Sequence, residues 1–452
     1  MLWRTKSHHS QNSEQDLSRT TSASKNDAAV SASQAAGTAW LAGHLHHLTP
    51  EQEAKLEEFK KVCTEHKYYT PAVKAADGVE TTPASHGDAT MLRFLRARRF
   101  DVEGAWGQFK DTEDWRKENA IEDLYANIAV DKYEASRRMY PQWTGRRDRR
   151  GIPVYVFEIR HLDSKSMTAY NDTMNTAKPD THQKSSVPPR LLTLFALYEN
   201  LLNFVMPLCS ALPRPNPETP IVSSTNIVDV SGVGLKQFWN LKSHMQDASV
   251  LATAHYPETL DRIFIIGAPS FFPTVWGWIK RWFDPNTTSK IFILSASEVK
   301  STLTSFMEPS SIPKQYGGEL EWQWGGMPNL DAPAHELLHS LEQPAADGSS
   351  KKELLKGPIL FKGDKIEVLG TVDGTPRRQT IPVPQTPVSA QTAQVAEDAP
   401  PAPEKGLAES AQQVPANGAV ESATDPVPDN EKAGLDAVSV KAEDTQTTTA
   451  LA

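Results

Sequence analysis

Cysteine is nearly missing from this chain: of its 452 residues only Cys63 and Cys209 carry a thiol. Two cysteines cannot build a disulfide framework, and such scarcity suits a reducing compartment. The opening MLWRTKSHHSQNSEQD lacks the apolar core of a signal peptide, and Glu14, Asp16 and Asp27 oppose a transit peptide. Catalytic signatures are missing too: there is no G-x-S-x-G elbow, no G-x-x-x-x-G-K-[ST] loop and no H-E-x-x-H. Ser231 in DVSGVG follows a strand-like run, but no His or Asp can be tied to it, and its glycines fit a tight strand-to-helix turn. No catalytic residue is therefore expected. His44, His46 and His47 cluster without Cys or carboxylate at ligand spacing, so neither a metal nor a cofactor is expected.

Hydrophobic residues make up only 38% of the chain, and aromatics are absent from Gln379 onward. That tail holds eleven acidic residues against three lysines, which accounts for nearly all of the net charge of −9. The remainder is close to neutral, so the overall charge points to no nucleic-acid partner. Residues 1–43 are rich in Ser, Ala, Gln and Thr. Neither end buries enough apolar surface to offset the entropy of ordering, so 1–43 and the acidic 379–452 are expected to be disordered.

What is present lies between those ends. Thr49-Pro50-Glu51-Gln52 predicts a helix start, with Thr49 as N-cap and proline at the first helical position. Asp88 or Thr90 is expected to cap MLRFLRARRF, and Asp101 to cap VEGAWGQFKDTEDWRKEN. These form a helical lobe over 44–133. Residues 134–320 alternate strand-like and helical runs, an α/β pattern with crossover connections. Strands are predicted at Pro153–Ile159, Thr225–Val230, Ile263–Ile266 and Ile291–Leu294. The Leu191–Leu212 run is apolar enough to raise a membrane span, but Glu199, Asn200, Asn203 and Pro207 favour a helix packed on a sheet. Residues 321–378 read as an accessory extension with a hairpin turning at Lys362-Gly363-Asp364.

Phe271–Phe283 departs from this ordinary pattern. Phe272, Val275, Trp276, Ile279, Trp282 and Phe283 share one helical stripe, whereas Trp278 faces elsewhere beside Lys280 and Arg281. Aromatic and basic residues so mixed suit a lipid interface, and the run is too short to span a bilayer. A core helix with two buried faces fits the same periodicity.

The run YPETLDRIFIIGAPSFF, followed by DPNTTSKIFIL and PKQYGG, resembles the second half of a CRAL-TRIO domain. MLRFLRARRFDVEGAW at Met91–Trp106 resembles its N-terminal signature. The similarity spans about Thr49 to Gly318 and is to the lipid-transfer family of that name, of the fungal cytosolic phosphatidylinositol transfer type. It implies an α/β fold in which a mainly parallel sheet floors a lipid pocket, preceded by a small all-helical lobe. In inositol-lipid-binding members, the positions matching Arg98, Arg99, Glu258, Thr287 and Lys290 hold the headgroup. The chemistry agrees: a phosphodiester needs cations and donors, and inositol hydroxyls need an acceptor. Without the resemblance, an ion-pair network between lobe and sheet would explain the same residues.

For phosphatidylcholine, Tyr155 matches one family tyrosine, but Gly234 and Lys236 stand where hydroxyls are needed, so that second site looks lost. The resemblance further implies intermembrane transfer of phosphatidylinositol, with Phe271, Phe272, Val275, Trp276, Ile279, Trp282 and Phe283 as gate and membrane contact. The expected protein is a cytoplasmic monomer, transiently peripheral on membranes. The competing reading is a scaffold that senses or presents phosphatidylinositol or a sterol without net transfer.

Overall fold

The structure is a computed structural model and describes residues 39–383, apart from 76–79, 177–188, 283–287 and 346–351. The disorder expected for the two ends falls mainly outside those residues. Two expected boundaries move. Ala39–Leu41 form a 3-10 turn whose Leu41 is buried. At the other end Gln379–Pro382 is a strand, so ordered chain continues past residue 378.

Three helices pack as the N-terminal lobe: α1 (Pro50–Glu65), α2 (Asp88–Ala97) and α3 (Val102–Glu118). Thr49 and Gln52 cap α1 reciprocally, a capping box that satisfies two otherwise orphaned N–H groups. Asp101 Oδ2 accepts from Gly104 N at 3.2 Å. The N-cap of α2 is Gly87, not Asp88 or Thr90; Asp88 instead accepts from Lys60 Nζ at 3.1 Å. Phe59, Leu95 and Phe109 interlock as the lobe's core.

The main sheet has five strands in sequence order: β1 (Gln142–Arg147), β2 (Pro153–Glu158), β3 (Ser224–Asp229), β4 (Leu260–Ile266) and β5 (Ile291–Ile293). β1 pairs antiparallel with β2, and the other pairs are parallel. Side chains alternate across a strand, and each predicted strand divides accordingly. Val154, Val156, Ile227, Phe264 and Phe292 pack on one face against Leu303 and Phe306.

The apolar helix runs from α4 (Pro189–Asn200) through a π turn (Leu201–Val205) to Ala211. Its C-terminal half packs Phe204, Val205 and Leu208 against Ile359, Phe361, Ile366 and Val368 of the accessory extension. That extension contains the predicted hairpin, Ile359–Lys362 with Lys365–Val368, and Gln379–Pro382 adds its third strand. Both cysteines are buried.

Two buried histidines give the fold a pH dependence. His255 stacks on Trp115 with centroids 4.2 Å apart, and burial, then Arg116, lowers its pKa from 6.5 to about 4. Burial, then Arg96, takes His44 down to about 3. Below pH 6.5 the unfolded chain binds protons that the folded chain refuses, so stability is full above that pH and is lost as pH falls toward about 4. Each histidine costs up to about 1.4 kcal/mol per pH unit in that window. Denaturant melts of His255→Phe should therefore show a shallower decline over the window than the native chain does.

Candidate functional site

The sheet face opposite the Phe264 core is the floor of a cavity of about 730 Å³. Register places Tyr155, Asn226, Ile263 and Ile291 in one row across four strands, and Phe157, Val228 and Ile265 in the next. All seven line the cavity. The walls follow helical spacing: Leu194, Leu197, Tyr198 and Leu201 present one face of the apolar helix. Across from them stands α5 (Leu235–His255), which contributes Phe238 and Met245.

A third wall is the aromatic stretch, here α6 (Phe272–Ile279) followed by a 3-10 turn over Lys280–Trp282. Phe272 and Val275 are buried, and Phe272 and Trp276 line the cavity. Phe238 of α5 meets Phe271 and Phe272 with ring centroids 6.0 and 6.1 Å apart. The side chains of Ile279 and Trp282, and all of Phe283 and Thr287, lie outside the described residues. The expected stripe is thus turned inward at Phe272 and Val275, and Trp278, on the other side, is 44% exposed.

One end of the cavity is charged. Glu258 Oε2 accepts from Arg96 Nη2 at 3.1 Å and from Lys290 Nζ at 3.2 Å, and Lys290 also donates to Leu260 O at 3.1 Å. Arg98 and Arg99 line the same end but are exposed. The structure thus brings together four of the five expected headgroup residues, and it adds Arg96, which sequence reasoning did not single out. Burial lowers the pKa of Arg96, and the Glu258 carboxylate opposes that shift. Buried Arg93 donates through Nε to Pro257 O at 3.0 Å and so fixes the turn that presents Glu258.

Backbone strain concentrates at this end. Arg99, Phe100 and Glu258 have φ of 53°, 62° and 57°, the left-handed region that non-glycine residues avoid. Such conformations cost on the order of 1–3 kcal/mol each and persist where surrounding structure imposes them. Here they turn the chain sharply at both banks of the charged mouth.

Two further polar groups were not singled out from sequence. Gln108 Nε2 donates to Thr253 O and Ala254 O, while its Oε1 and the hydroxyl of Ser249 are buried without a hydrogen-bond partner among the described residues. Both residues line the cavity. Tyr155 stands in the floor, whereas Gly234 and Lys236 are exposed and do not line it. Ser231 is tied through its N–H to Asp229, and its Oγ packs so tightly that a Cβ on Gly267 would come within 1.8 Å.

Comparison with known proteins agrees with this architecture. Residues 137–318 match the CRAL/TRIO domain, and residues 55–111 match the CRAL/TRIO N-terminal domain. The Sec14 cytosolic factor of Schizosaccharomyces pombe is 31% identical over 296 residues, covering 65% of this chain and 91% of the relative. The SEC14 cytosolic factor of Eremothecium gossypii is 30% identical, covering 62% and 80%. A phosphatidylinositol/phosphatidylcholine transfer protein of Arabidopsis thaliana, SFH9, is 32% identical over 54% of this chain and 39% of its own length. With the helical lobe, the mainly parallel sheet and both matched segments in place, this chain belongs to the CRAL-TRIO family and is a Sec14-like member of it.

Proposed function

We propose that this protein binds a phospholipid, with phosphatidylinositol as its preferred ligand, and carries it between membranes. The observation behind this reading is the pairing of an apolar cavity of about 730 Å³ with the Arg96–Glu258–Lys290 cluster at one end. The volume lies within the range of small-molecule sites, about 300–1,000 Å³. Acyl chains gain by leaving water for the Ile- and Leu-lined interior, at about 0.8 kcal/mol per buried methylene. At the mouth, the ammonium of Lys290 and the guanidinium groups suit a phosphodiester, and Glu258 suits inositol hydroxyls. Thr287 completes the set by its place in T-x-S-K.

In this reading α6 is the gate. Phe272 and Trp276 close the cavity's side, and swinging α6 away from Phe238 lets one lipid leave and another enter. No bond is made or broken. The Sec14 relatives are named cytosolic factors, which supports a cytoplasmic carrier; in this reading it is a monomer that meets membranes transiently. The name of the SFH9 relative, a phosphatidylinositol/phosphatidylcholine transfer protein, supports a phospholipid cargo, the inositol lipid among them. Of the positions that the resemblance assigns to a choline lipid, only Tyr155 lines the cavity, while Gly234 and Lys236 lack hydroxyls and lie outside it, which argues against phosphatidylcholine as the counter-ligand.

The test is exchange of labelled phosphatidylinositol between vesicles by the full chain, with mass spectrometry of lipid co-purified from a eukaryotic host. The expected result is phosphatidylinositol in the purified protein and catalysed exchange. Protein that emerges with no phospholipid and moves none would overturn the proposal. Tight retention without exchange would replace transfer by presentation of a held lipid.

A further inference from the structure

Strand β3 grades from polar to apolar on its cavity side. Ser224 and Asn226 come first, at the end near the charged mouth, and Val228 and Val230 follow deeper in. The first of these rows is tied to the charged cluster: Ser224 pairs in register with Leu260, whose carbonyl accepts from Lys290 Nζ. Asn226 stands two residues on, about 7 Å further along the strand. Its neighbours across the sheet are Tyr155 and Ile263. It is the last polar side chain on this side of β3 before the Val-lined interior.

Hydrogen bonding fixes which way the Asn226 amide points. Nδ2 donates to Ser224 Oγ at 3.0 Å and to Ser224 O at 3.4 Å. Ser224 Oγ gives its own proton to Thr259 O at 3.1 Å. Both groups offered to Asn226 are therefore acceptors, and only the NH2 side of the amide fits them. Oδ1 is left on the cavity side, where it accepts no hydrogen bond from any described residue. Asn226 is only 7% exposed. A buried amide oxygen without a donor costs more than the hydrogen bond it lacks. The cavity's occupant is the group placed to supply that donor.

A lipid whose phosphate meets Lys290 lays its backbone across this row, between headgroup and chains. Backbones differ there in kind. A diacylglycerol backbone carries ester oxygens only, which sets acceptor against acceptor. A monoacylglycerol backbone carries a free hydroxyl, and a ceramide backbone carries an amide N–H and a hydroxyl; each of these donates. We propose that Asn226 Oδ1 reads the lipid backbone: among inositol phospholipids the cavity selects those with a hydrogen-bond donor beside the phosphate over the diacyl form. The inference rests on the inositol-lipid reading and narrows it. The diacyl lipid is still carried, with one buried oxygen unpaired.

The test displaces labelled phosphatidylinositol from the full chain with three unlabelled competitors, each at the same mole fraction in phosphatidylcholine vesicles. They are phosphatidylinositol, lysophosphatidylinositol and ceramide phosphoinositol. The native chain should favour the donor-bearing lipids over phosphatidylinositol by at least about fivefold, the effect of one unpaired buried acceptor. Asn226→Leu removes the oxygen at similar volume, so it should lose this discrimination. It should also hold labelled phosphatidylinositol more tightly than the native chain does, a gain that a misfolded variant cannot show. Asn226→Val, whose β-branched side chain suits a strand, should behave in the same way. Preference for the ceramide lipid alone narrows the donor to the sphingoid backbone, and preference for the lyso lipid alone narrows it to a free hydroxyl; either supports the inference. Equal competition by all three lipids on the native chain would overturn it and leave the carrier reading standing. So would an equal loss of all three in Asn226→Leu, which gives the oxygen to the inositol ring instead. A native chain that holds none of the three is no carrier of inositol lipids, and both readings fall together.

Discussion

Lys290→Ala should lower phosphatidylinositol exchange by about one to two orders of magnitude, the cost of one charge-assisted hydrogen bond of roughly 1.5–3 kcal/mol. An ammonium has three donors, and two of those on Lys290 are directed at Glu258 and Leu260 O. The third has no partner among the described residues and, on the proposed assignment, is the one that meets a ligand oxygen. Lys290 is only 21% exposed as a side chain, and Glu258 only 9%, so solvent screens the cluster weakly. Arg98 and Arg99 differ in this respect: both are exposed. An exposed ionic contact is worth about 0–1 kcal/mol, so Arg98→Ala should cost no more than about fivefold. The order of effects, Lys290 well above Arg98, is therefore the decisive readout in a vesicle exchange assay. On the proposed assignment of Lys290 to the phosphate and Glu258 to the inositol hydroxyls, binding of a phospholipid that lacks inositol should fall with Lys290→Ala but not with Glu258→Gln. Equal exchange by the native chain and Lys290→Ala would remove the headgroup assignment.

That order could not be read from the sequence, and the reason is specific. LRFLRARRF puts four arginines in seven residues, and helical spacing separates them only while the helix lasts. It ends at Ala97, and Arg99 and Phe100 then take left-handed backbone that no local pattern announces. The arginine that reaches Glu258 is consequently Arg96, still within α2, whereas Arg98 and Arg99 lie beyond it at the rim. The strands were easier: Val154/Tyr155 and Phe264/Ile265 alternate between a packed face and a cavity face, and runs of Ile, Val and Phe announce both. Strand β1 was not legible. QWTGRR is polar, is interrupted by an irregularity before Arg147, and includes Gly145 at φ 87°, where a Cβ would strike the backbone of Asn329. The third strand of the accessory sheet was hidden for a similar reason: Gln379–Pro382 carries one aliphatic side chain and ends in proline. The unpartnered oxygen of Asn226 depends on Ser224 giving its proton to Thr259, a tertiary contact that one-dimensional periodicity does not encode.

A larger loss of stability is expected from Arg116→Ala than from any substitution at the cavity mouth. Glu199 sits in the long apolar helix that begins at Pro189, with its side chain 3% exposed. Arg116 of α3 reaches it with two parallel hydrogen bonds, Nη1 to Oε1 at 2.6 Å and Nη2 to Oε2 at 3.1 Å. Tyr256 Oη donates to Oε1 at 3.0 Å and Asn203 Nδ2 to Oε2 at 2.9 Å. Burial works against the charge on Arg116, and Glu199 more than offsets it, so the guanidinium pKa stands above its ordinary value. Removing the arginine leaves a carboxylate in the interior with only neutral donors, which costs about 3–5 kcal/mol. A folded domain holds about 5–15 kcal/mol in total, so the variant should melt far below the native protein, with the sharpest effect where α3 meets α4. Glu258 has a near neighbour in Lys290 if Arg96 is lost; Glu199 makes no ion pair with a second cation among the described residues, and buried Arg93 acts on it only through space. The pair itself need not be the source of stability. Paying to bury two charges roughly cancels their attraction, so Arg116→Met with Glu199→Leu should recover most of the loss. Thermal melts of the single and double variants decide this: a double variant as weak as Arg116→Ala would mean that Tyr256 and Asn203, left without their acceptor, set the stability of this junction instead of the ion pair.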